Sequence, residues 1–585
     1  MGSSDMAEIK QLFQVTALPG IKRDGTQLDG DQYNDGQWVR FQRGRVKKMG
    51  GYQQVTPRLH GPIRASRVWS RASMNAVYTF SYYGVEMVLV DDNGLGSSII
   101  DRTPVGFTTN TNYIWSTDTL YNSAGSTTAV LAHASTSLAN IDDTTEKLCY
   151  YGDANGVAAF TSVGAIGPAG AGVSGGVFCV APYAFYMSSD GYLQWSDANQ
   201  PTVLSGGDSG SGRITGAKLV KGLPLRSGSG PGALLWSLDS VIRMDYAGGQ
   251  TLFKFAHLTS QSSILAQNSV IEYDNVYYWL GIDRFLMTDG SSVKELPNQM
   301  NINWFFDNLN YTQRQKVWAM KIPRYGEIHW YFPYGDATEC TNCVIFNVRE
   351  NIWYDNALTR SSGFYSQVFH YPVMTDPTMS TTEVALTLSG TAGTFSINDQ
   401  VRGNTTGAVG TIVDIIGSTY YVHMSLEGVY MSVGEGITDL TSAATGNVAS
   451  MTNLYSLHLH EKGRDAVVGD FTNAIDTWAL TADFGLPTGG AKQNDITGLN
   501  RWTRLVRVEP DFVMEGEMEM TVTSHEFAQS SETETSPYTF DSTTERIDLR
   551  VQAREIRLKF RSNVVGGHFE MGRVILHTEP GDVRN

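Results

Sequence analysis

The chain has 585 residues, 43 of them Lys or Arg and 59 Asp or Glu, for a formal net charge of −16; 41% are apolar, 17% charged, 11% aromatic and 60 are glycine. One hydrophobic core rarely serves more than about 250–300 residues, so this length implies several domains or one large composite architecture. The acidic balance argues against a protein whose main task is to grip nucleic-acid phosphates, and sparse charge with abundant glycine and aromatics favours short strands and tight turns, an all-β class.

No stretch approaches the roughly 20 apolar residues of a membrane helix, and Met1–Lys10 is polar, without the apolar run of a secretory signal. A soluble chain with no membrane anchor is expected. The four cysteines, Cys149, Cys179, Cys340 and Cys343, are too few for a disulfide framework and fit assembly in a reducing cytoplasm.

In chain order, the first feature is charge. Residues 36–75 carry Arg40, Arg43, Arg45, Lys47, Lys48, Arg58, Arg64, Arg67 and Arg71 and no carboxylate. Such a stretch reads either as an N-terminal arm that docks on an acidic partner or on DNA phosphates, or as a solvated strand face. Arg40, Arg43, Arg45, Lys47 and Lys48 are the candidate docking residues.

From Val77 to Val348 a loose repeat of aromatic and β-branched strand pairs joined by Asp/Gly/Asn turns predicts the blades of a β-propeller. Its units are Val77–Tyr83 running on to Asp91–Gly94, Leu148–Gly156, Ala184–Trp195, Leu234–Tyr246, Val276–Gly290, and Ile328–Phe332 with Val344–Val348. Unrelated β-sandwiches are the alternative. The pattern of Asn301–Lys316 predicts a helix packed on the outside of a blade. Cys340-Thr-Asn-Cys343 has zinc-ligand spacing but no second pair to complete four ligands, so it reads as a hairpin tip with free thiols.

A sharper repeat lies at 395–449. At an offset of 36, Asp399, Val401, Thr405, Thr406, Ala408, Gly410 and Ile412 match Glu435, Ile437, Thr441, Ser442, Ala444, Gly446 and Val448. Two copies of one small β unit imply an inserted module, flanked by linkers at Thr375–Thr382 and Ala449–Asn453. Leu505–Val508, Glu517–Thr523 and Glu555–Phe560 then suggest a terminal β-sandwich, with Gln529–Pro537 an exposed loop. The expected division is 1–75, basic arm and first strands; 76–375, propeller; 376–455, inserted module; 456–500, last propeller strands; 501–585, C-terminal β region.

The catalytic motifs are weak. Gly172-Val-Ser-Gly-Gly176 matches a nucleophile elbow but sits in a Gly/Ala-rich loop rather than between strand and helix, and Gly207-Asp-Ser-Gly210 is embedded in a low-complexity linker. Ser188–Trp195 resembles an Asp-box turn with altered spacing and reads as a tight Asp-Gly hairpin. His458 and His460 share one strand face without a third ligand. No catalytic, metal or cofactor residue is assigned.

Leu18-Pro-Gly-Ile-Lys-Arg-Asp-Gly-Thr26, Gly36–Arg45 and Lys48-Met-Gly-Gly-Tyr52 resemble the start of the DNA-stabilising tail nozzle proteins of short-tailed bacteriophages. The order of elements from Leu234 to Tyr354 and the closing strands Glu555–Asn563 and Gly572–Leu576 are similar to the same family. The resemblance implies a non-enzymatic virion protein, made in the host bacterial cytoplasm. It implies about six copies around the tail axis below the portal and adaptor rings, contacts to tail fibres or spikes, and a conduit that retains and releases viral DNA without sequence-specific binding. A host-receptor adhesin, with the inserted module as its binding end, and a glycan-acting propeller enzyme are the competing functions.

Overall fold

The aromatic runs form strands because alternate side chains enter the seam on either side of a narrow sheet, where β-branched and aromatic residues fill space best. The structure, a computed structural model, describes residues 11–14, 17–26, 31–71, 74–91, 96–136, 146–226, 230–249, 251–485, 501–527 and 530–583. The expectations that touch residues 1–10, the turn at 92–94, residues 486–500 and Gln529 lie outside them.

Six successive sheets hold four antiparallel strands each in chain order, from Ile63–Trp69 to Gly96–Asp101 in blade 1 through to Trp318–Ile322 to Ile352–Asn356 in blade 6. The seventh sheet runs Ser362–Phe364, Val373–Met379, Leu454–His460 and Tyr52–His60, then extends through Ala466–Val468 and Phe471–Asn473. Apolar clusters fill the seams. Phe80 meets Trp115 between blades 1 and 2 (5.4 Å between ring centres), Trp236 meets Trp279 between 4 and 5 (5.7 Å), and Phe285 meets Trp330 between 5 and 6 (5.4 Å). Val55, Leu59, Val77, Val88 and Leu457 close blade 7 onto blade 1. The chain is therefore a β-propeller with seven sheets in its ring. Its closing sheet takes a strand from near the N-terminus, so residues 52–60 and 63–69 are propeller strands and not part of an arm.

The expected helix is divided and differently placed. An α-helix spans Ile302–Asn308, Leu309 is extended, and a 3-10 helix follows at Tyr311–Lys316 with the Asn310 side chain accepting from Thr312 N. Phe305 is fully buried between Phe285 and Phe332, so the helix fills the seam between blades 5 and 6 instead of lying outside a blade.

The inserted module is a closed six-stranded barrel, Glu383–Ala392 to Thr445–Thr452, set between two neighbouring strands of blade 7. Its halves obey a local two-fold relation. Val401 pairs with Asp439 and Gly403 with Ile437, which are symmetry-equivalent at the offset of 36. Gly403 N–H donates to Ala408 O as Asp439 N–H donates to Ala444 O, and Asn398 and Gly434 are both left-handed, as are Gly407 and Ala443. The supposed linkers are largely strand: 375–379 lie in Val373–Met379 and 449–452 complete the last barrel strand, leaving only 380–382 and Asn453 as connections. Asp376 accepts from Thr378 N (2.8 Å) at a bulge, which accounts for the turn-like composition there.

The C-terminal β region exists but does not stand alone. Gln11–Gln14 pairs with Ile575–Val583, Asp35–Gln37 joins Thr477–Leu480 beside Glu555–Ser562, and Val39–Gln42 with Arg45–Lys48 extends the sheet of Phe512–Glu515 and His568–Met571. Both ends of the chain build this layered unit, which shares a core with blade 6 through Trp318, Tyr331, Ile345 and Tyr354. The boundaries expected at 75 and 500 are corrected accordingly, since residues 477–480 also belong here. Among the described residues no helix is long and apolar enough to cross a membrane.

Candidate functional site

The axis of the ring is the first place where several elements converge. A cavity of about 150 Å³ lies there, lined by the inner-strand residues Arg67, Trp115, Thr117, Lys221 and Ser362 and by Asn268 from the connection between blades 4 and 5. It is bridged by side chains. Asn268 Nδ2 donates across the ring to Trp115 O (3.2 Å) and its Oδ1 accepts from Lys221 Nζ (3.4 Å), Gln267 Nε2 reaches Gly175 O (3.3 Å), and Ser66 and Ser362 share a hydroxyl bond at 2.6 Å. Glycines allow this closeness: a Cβ on Gly175 would lie 2.1 Å from Leu219 O. A cavity of this size takes a single benzene-sized guest. B-DNA, whose major groove alone is about 12 Å wide, does not pass through it.

The basic stretch turns inward. Arg40 is fully buried, with Nε 3.0 Å from Glu327 Oε1 and Nη2 2.5 Å from Glu461 Oε1, and its guanidinium sits 3.5 Å over the Tyr325 ring. Burial opposes the charge on Arg40, but the two carboxylates outweigh it and hold its pKa above the usual arginine value. Glu327 is also bonded by His329 (2.9 Å) and Tyr354 (2.7 Å); burial would raise its pKa, yet these partners and Arg40 bring it down to about 2. Lys48 is buried and donates to Gly567 O at 2.9 Å. Arg40 and Lys48 are thus committed inside the molecule and cannot present themselves to a partner, which corrects two of the five candidate docking residues. Arg43 is exposed, its N–H donating to Glu350 (2.5 Å), while Arg45 and Lys47 face Glu570 at 3.3 and 3.9 Å.

The other basic residues follow suit. Arg58 binds Glu383 and Asp414 of the barrel, Arg64 binds Glu339, Arg67 binds Asp118, and Arg71 donates to Asn155 O. Six of the nine basic residues of the acid-free stretch, Arg40, Arg45, Lys47, Arg58, Arg64 and Arg67, find their counter-charges in distant parts of the same chain. N-terminal to it, Asp24 accepts from Asn303 N and Trp304 N at 2.9 and 2.8 Å, capping the short helix, and Arg23 binds buried Asp355 at 2.8 Å. Arg23 and Asp24 therefore hold their segment along blade 6.

The rejected motifs have structural explanations. Gly172–Gly176 is not a loop: from Val173 it is the inner strand of blade 3, with Ser174 buried. Gly210 begins the outer strand of the same blade, and Ser209 Oγ donates to Gly206 O. Asp190 and Gly191 both have positive φ, the turn of a tight hairpin as expected. Cys340 and Cys343 are buried free thiols, Cys340 in the connection between the two middle strands of blade 6 and Cys343 within the second. His458 and His460 are buried, edge-on to Tyr52 (5.1 Å) and Trp38 (5.8 Å), a packing role. Among the described residues no group of three or more His, Cys, Asp or Glu is arranged to hold a metal ion.

No protein-family model matches the chain, and no curated protein matches it. Among solved structures it is similar to BamB from Moraxella catarrhalis, at 11% identity and a TM-score of 0.28, over 74% of this chain and 97% of that one. It is also similar to the computationally designed Ika8 protein, at 11% identity and a TM-score of 0.28, over 63% of this chain and 99% of that one. Likenesses at this level carry no functional argument.

Proposed function

We propose that the chain is a structural component of a short-tailed phage particle, a tail nozzle subunit that helps retain packaged DNA and forms part of the path for its release. The observation that carries this reading is the coupling of the family-like segment 18–52 to the rest of the molecule. Arg23, Asp24, Arg40 and Lys48 tie it to blade 6, blade 7 and the C-terminal sheets, giving a rigid block suited to bearing load in a ring. Because the propeller axis is closed by its own side chains, DNA would pass between copies arranged around a common axis, with one heterologous contact repeating. A net charge of −16 would keep such a wall from adhering to the duplex. The family resemblance supplies the copy number of six, the adaptor above, and fibres or spikes alongside; Arg43, Arg45 and Lys47 remain the basic residues available to an acidic adaptor.

The test is genome retention. DNA-filled particles assembled without this chain should lose DNA to nuclease, and adding the purified protein should restore protection. Equal protection with and without it contradicts the proposal.

The barrel supports a second reading, a receptor-binding adhesin. It is a closed sheet of its own, held to blade 7 by the Arg58 pairs with Glu383 and Asp414, it exposes Ile397, Ile416, Leu426, Val433 and Leu440, and its stalks are adjacent, Ser380 N–H donating to Leu454 O at 2.7 Å. Joining 380 to 454 should leave the propeller intact. Particles carrying that deletion should still retain DNA if the nozzle reading holds, and should lose host-cell adsorption if the adhesin reading holds.

A further inference from the structure

The axial cavity has an unusual charge inventory for an acidic protein. Around it stand Arg64, Arg67, Lys221 and, one residue removed, Lys316, against the carboxylates Glu339 and Asp118. Glu339 is shared by Arg64 (2.6 Å) and Lys316 (2.9 Å), and Asp118 serves Arg67 (2.9 Å) while also accepting from Cys179 N (2.8 Å). Lys221 has no carboxylate within ion-pairing distance among the described residues; its one bond is the long contact to Asn268. Arg67 spends Nε and Nη2 on Thr117 and Asp118, leaving Nη1 without a hydrogen bond among the described residues.

Lys221 is half-buried, and an ammonium partly withdrawn from water and left without a counter-ion is disfavoured, so that it either releases its proton or recruits an anion. Burial, with Arg67 adding to it and Asp118 opposing, brings the Lys221 pKa down to about 8, so the amine is still largely charged at neutral pH. Donors face the space from several blades: Lys221 from blade 4, Arg67 from blade 1, and the Ser66–Ser362 hydroxyl pair, one of whose two protons is not used between them. Donors on more than one side suit an oxyanion, which accepts in several directions.

We propose that the propeller axis is a binding site for one small oxyanion of phosphate size, held by Lys221 and Arg67 with the Ser66 and Ser362 hydroxyls, and that this ion completes the centre of the ring. The inference is independent of the nozzle reading, because it concerns only how the seven inner strands are joined. It makes the anion a structural element rather than a substrate.

The experiment is calorimetric titration of the full-length protein with inorganic phosphate, alongside thermal unfolding in phosphate and in chloride at matched ionic strength. Wild type should bind one phosphate per chain and unfold at higher temperature as phosphate rises, as linkage requires for a ligand of the native state. Lys221→Met, which removes the lone ammonium, should bind at least tenfold more weakly and lose the phosphate-dependent rise. No heat of binding and no difference between phosphate and chloride in wild type would overturn the proposal, and this holds whether or not the variant folds. An equal response in a folded Lys221→Met would overturn it as well.

Discussion

Arg40 and Glu327 lie 287 residues apart in sequence, yet their side chains meet at 3.0 Å where neither is more than 1% exposed. Glu461 completes the arrangement from the loop after Leu454–His460, so one guanidinium ties the N-terminal segment to blades 6 and 7. Removing one member of a buried ion group leaves the others uncompensated, a loss of about 3–5 kcal/mol. Arg40→Met should lower unfolding stability by that order in denaturant titration. Arg45→Met, which disturbs only an exposed pair with Glu570, should change it by less than about 1 kcal/mol.

Acid should weaken the same region through its histidines. Burial first, and then Arg360, hold the pKa of His458 and His460 well below the usual histidine value. Below about pH 6.5 the unfolded chain takes up protons that the folded chain does not, so stability falls as pH drops, by about 1.4 kcal/mol per pH unit for each histidine. Glu327 adds a second loss from about pH 4.5 towards 2. Asp483, raised to about 6 chiefly by burial, works the other way between about pH 6 and 4. The check is therefore differential: between pH 6 and 5, His458→Gln should lose less stability than wild type.

Close approach of inner strands should make glycine substitutions sharply position-dependent. Gly175→Ala drives a Cβ to 2.1 Å from the Leu219 carbonyl, whereas Gly207→Ala, in the other glycine-rich motif, meets nothing within 4 Å. Overpacking of the first kind costs about 1–3 kcal/mol, and the second should stay within about 0.5 kcal/mol. Thermal unfolding of the two variants side by side tests both.

The barrel's internal symmetry predicts a stabilising change. Ala443 holds φ at 60° where its counterpart Gly407 holds 72°, a conformation that disfavours a Cβ. Ala443→Gly should therefore stabilise the barrel by about 0.5–1 kcal/mol, and Gly407→Ala should destabilise it by a similar amount. Proteolysis of the barrel strands under native conditions reads the difference.

Much of the propeller was legible because the middle strands of its blades, such as Ala233–Ser237 and Glu327–Phe332, are buried along their whole length and so carry aromatic and β-branched residues. The inner and outer strands were not. Val173–Val180 needs glycine for close packing and reads as a loop, while Thr161–Ser162 is short and exposed. Tyr52–His60 reads locally as part of a basic arm because its partner strand, Leu454–His460, lies some four hundred residues away, beyond any local pattern. The same non-locality hid the meaning of residues 36–75: Arg40 and Arg64 look unpaired in sequence because Glu327, Glu461 and Glu339 come from other blades. The offset-36 repeat, by contrast, was readable letter by letter and corresponds to the two halves of the barrel.

The central claim is tested most directly by electron microscopy of purified particles labelled with an antibody against this chain, with copies per particle counted by quantitative mass spectrometry. Label on the axis at the distal end of a short tail, at about six copies, is the predicted result. Label confined to peripheral fibres, or absence of the chain from particles, would contradict it.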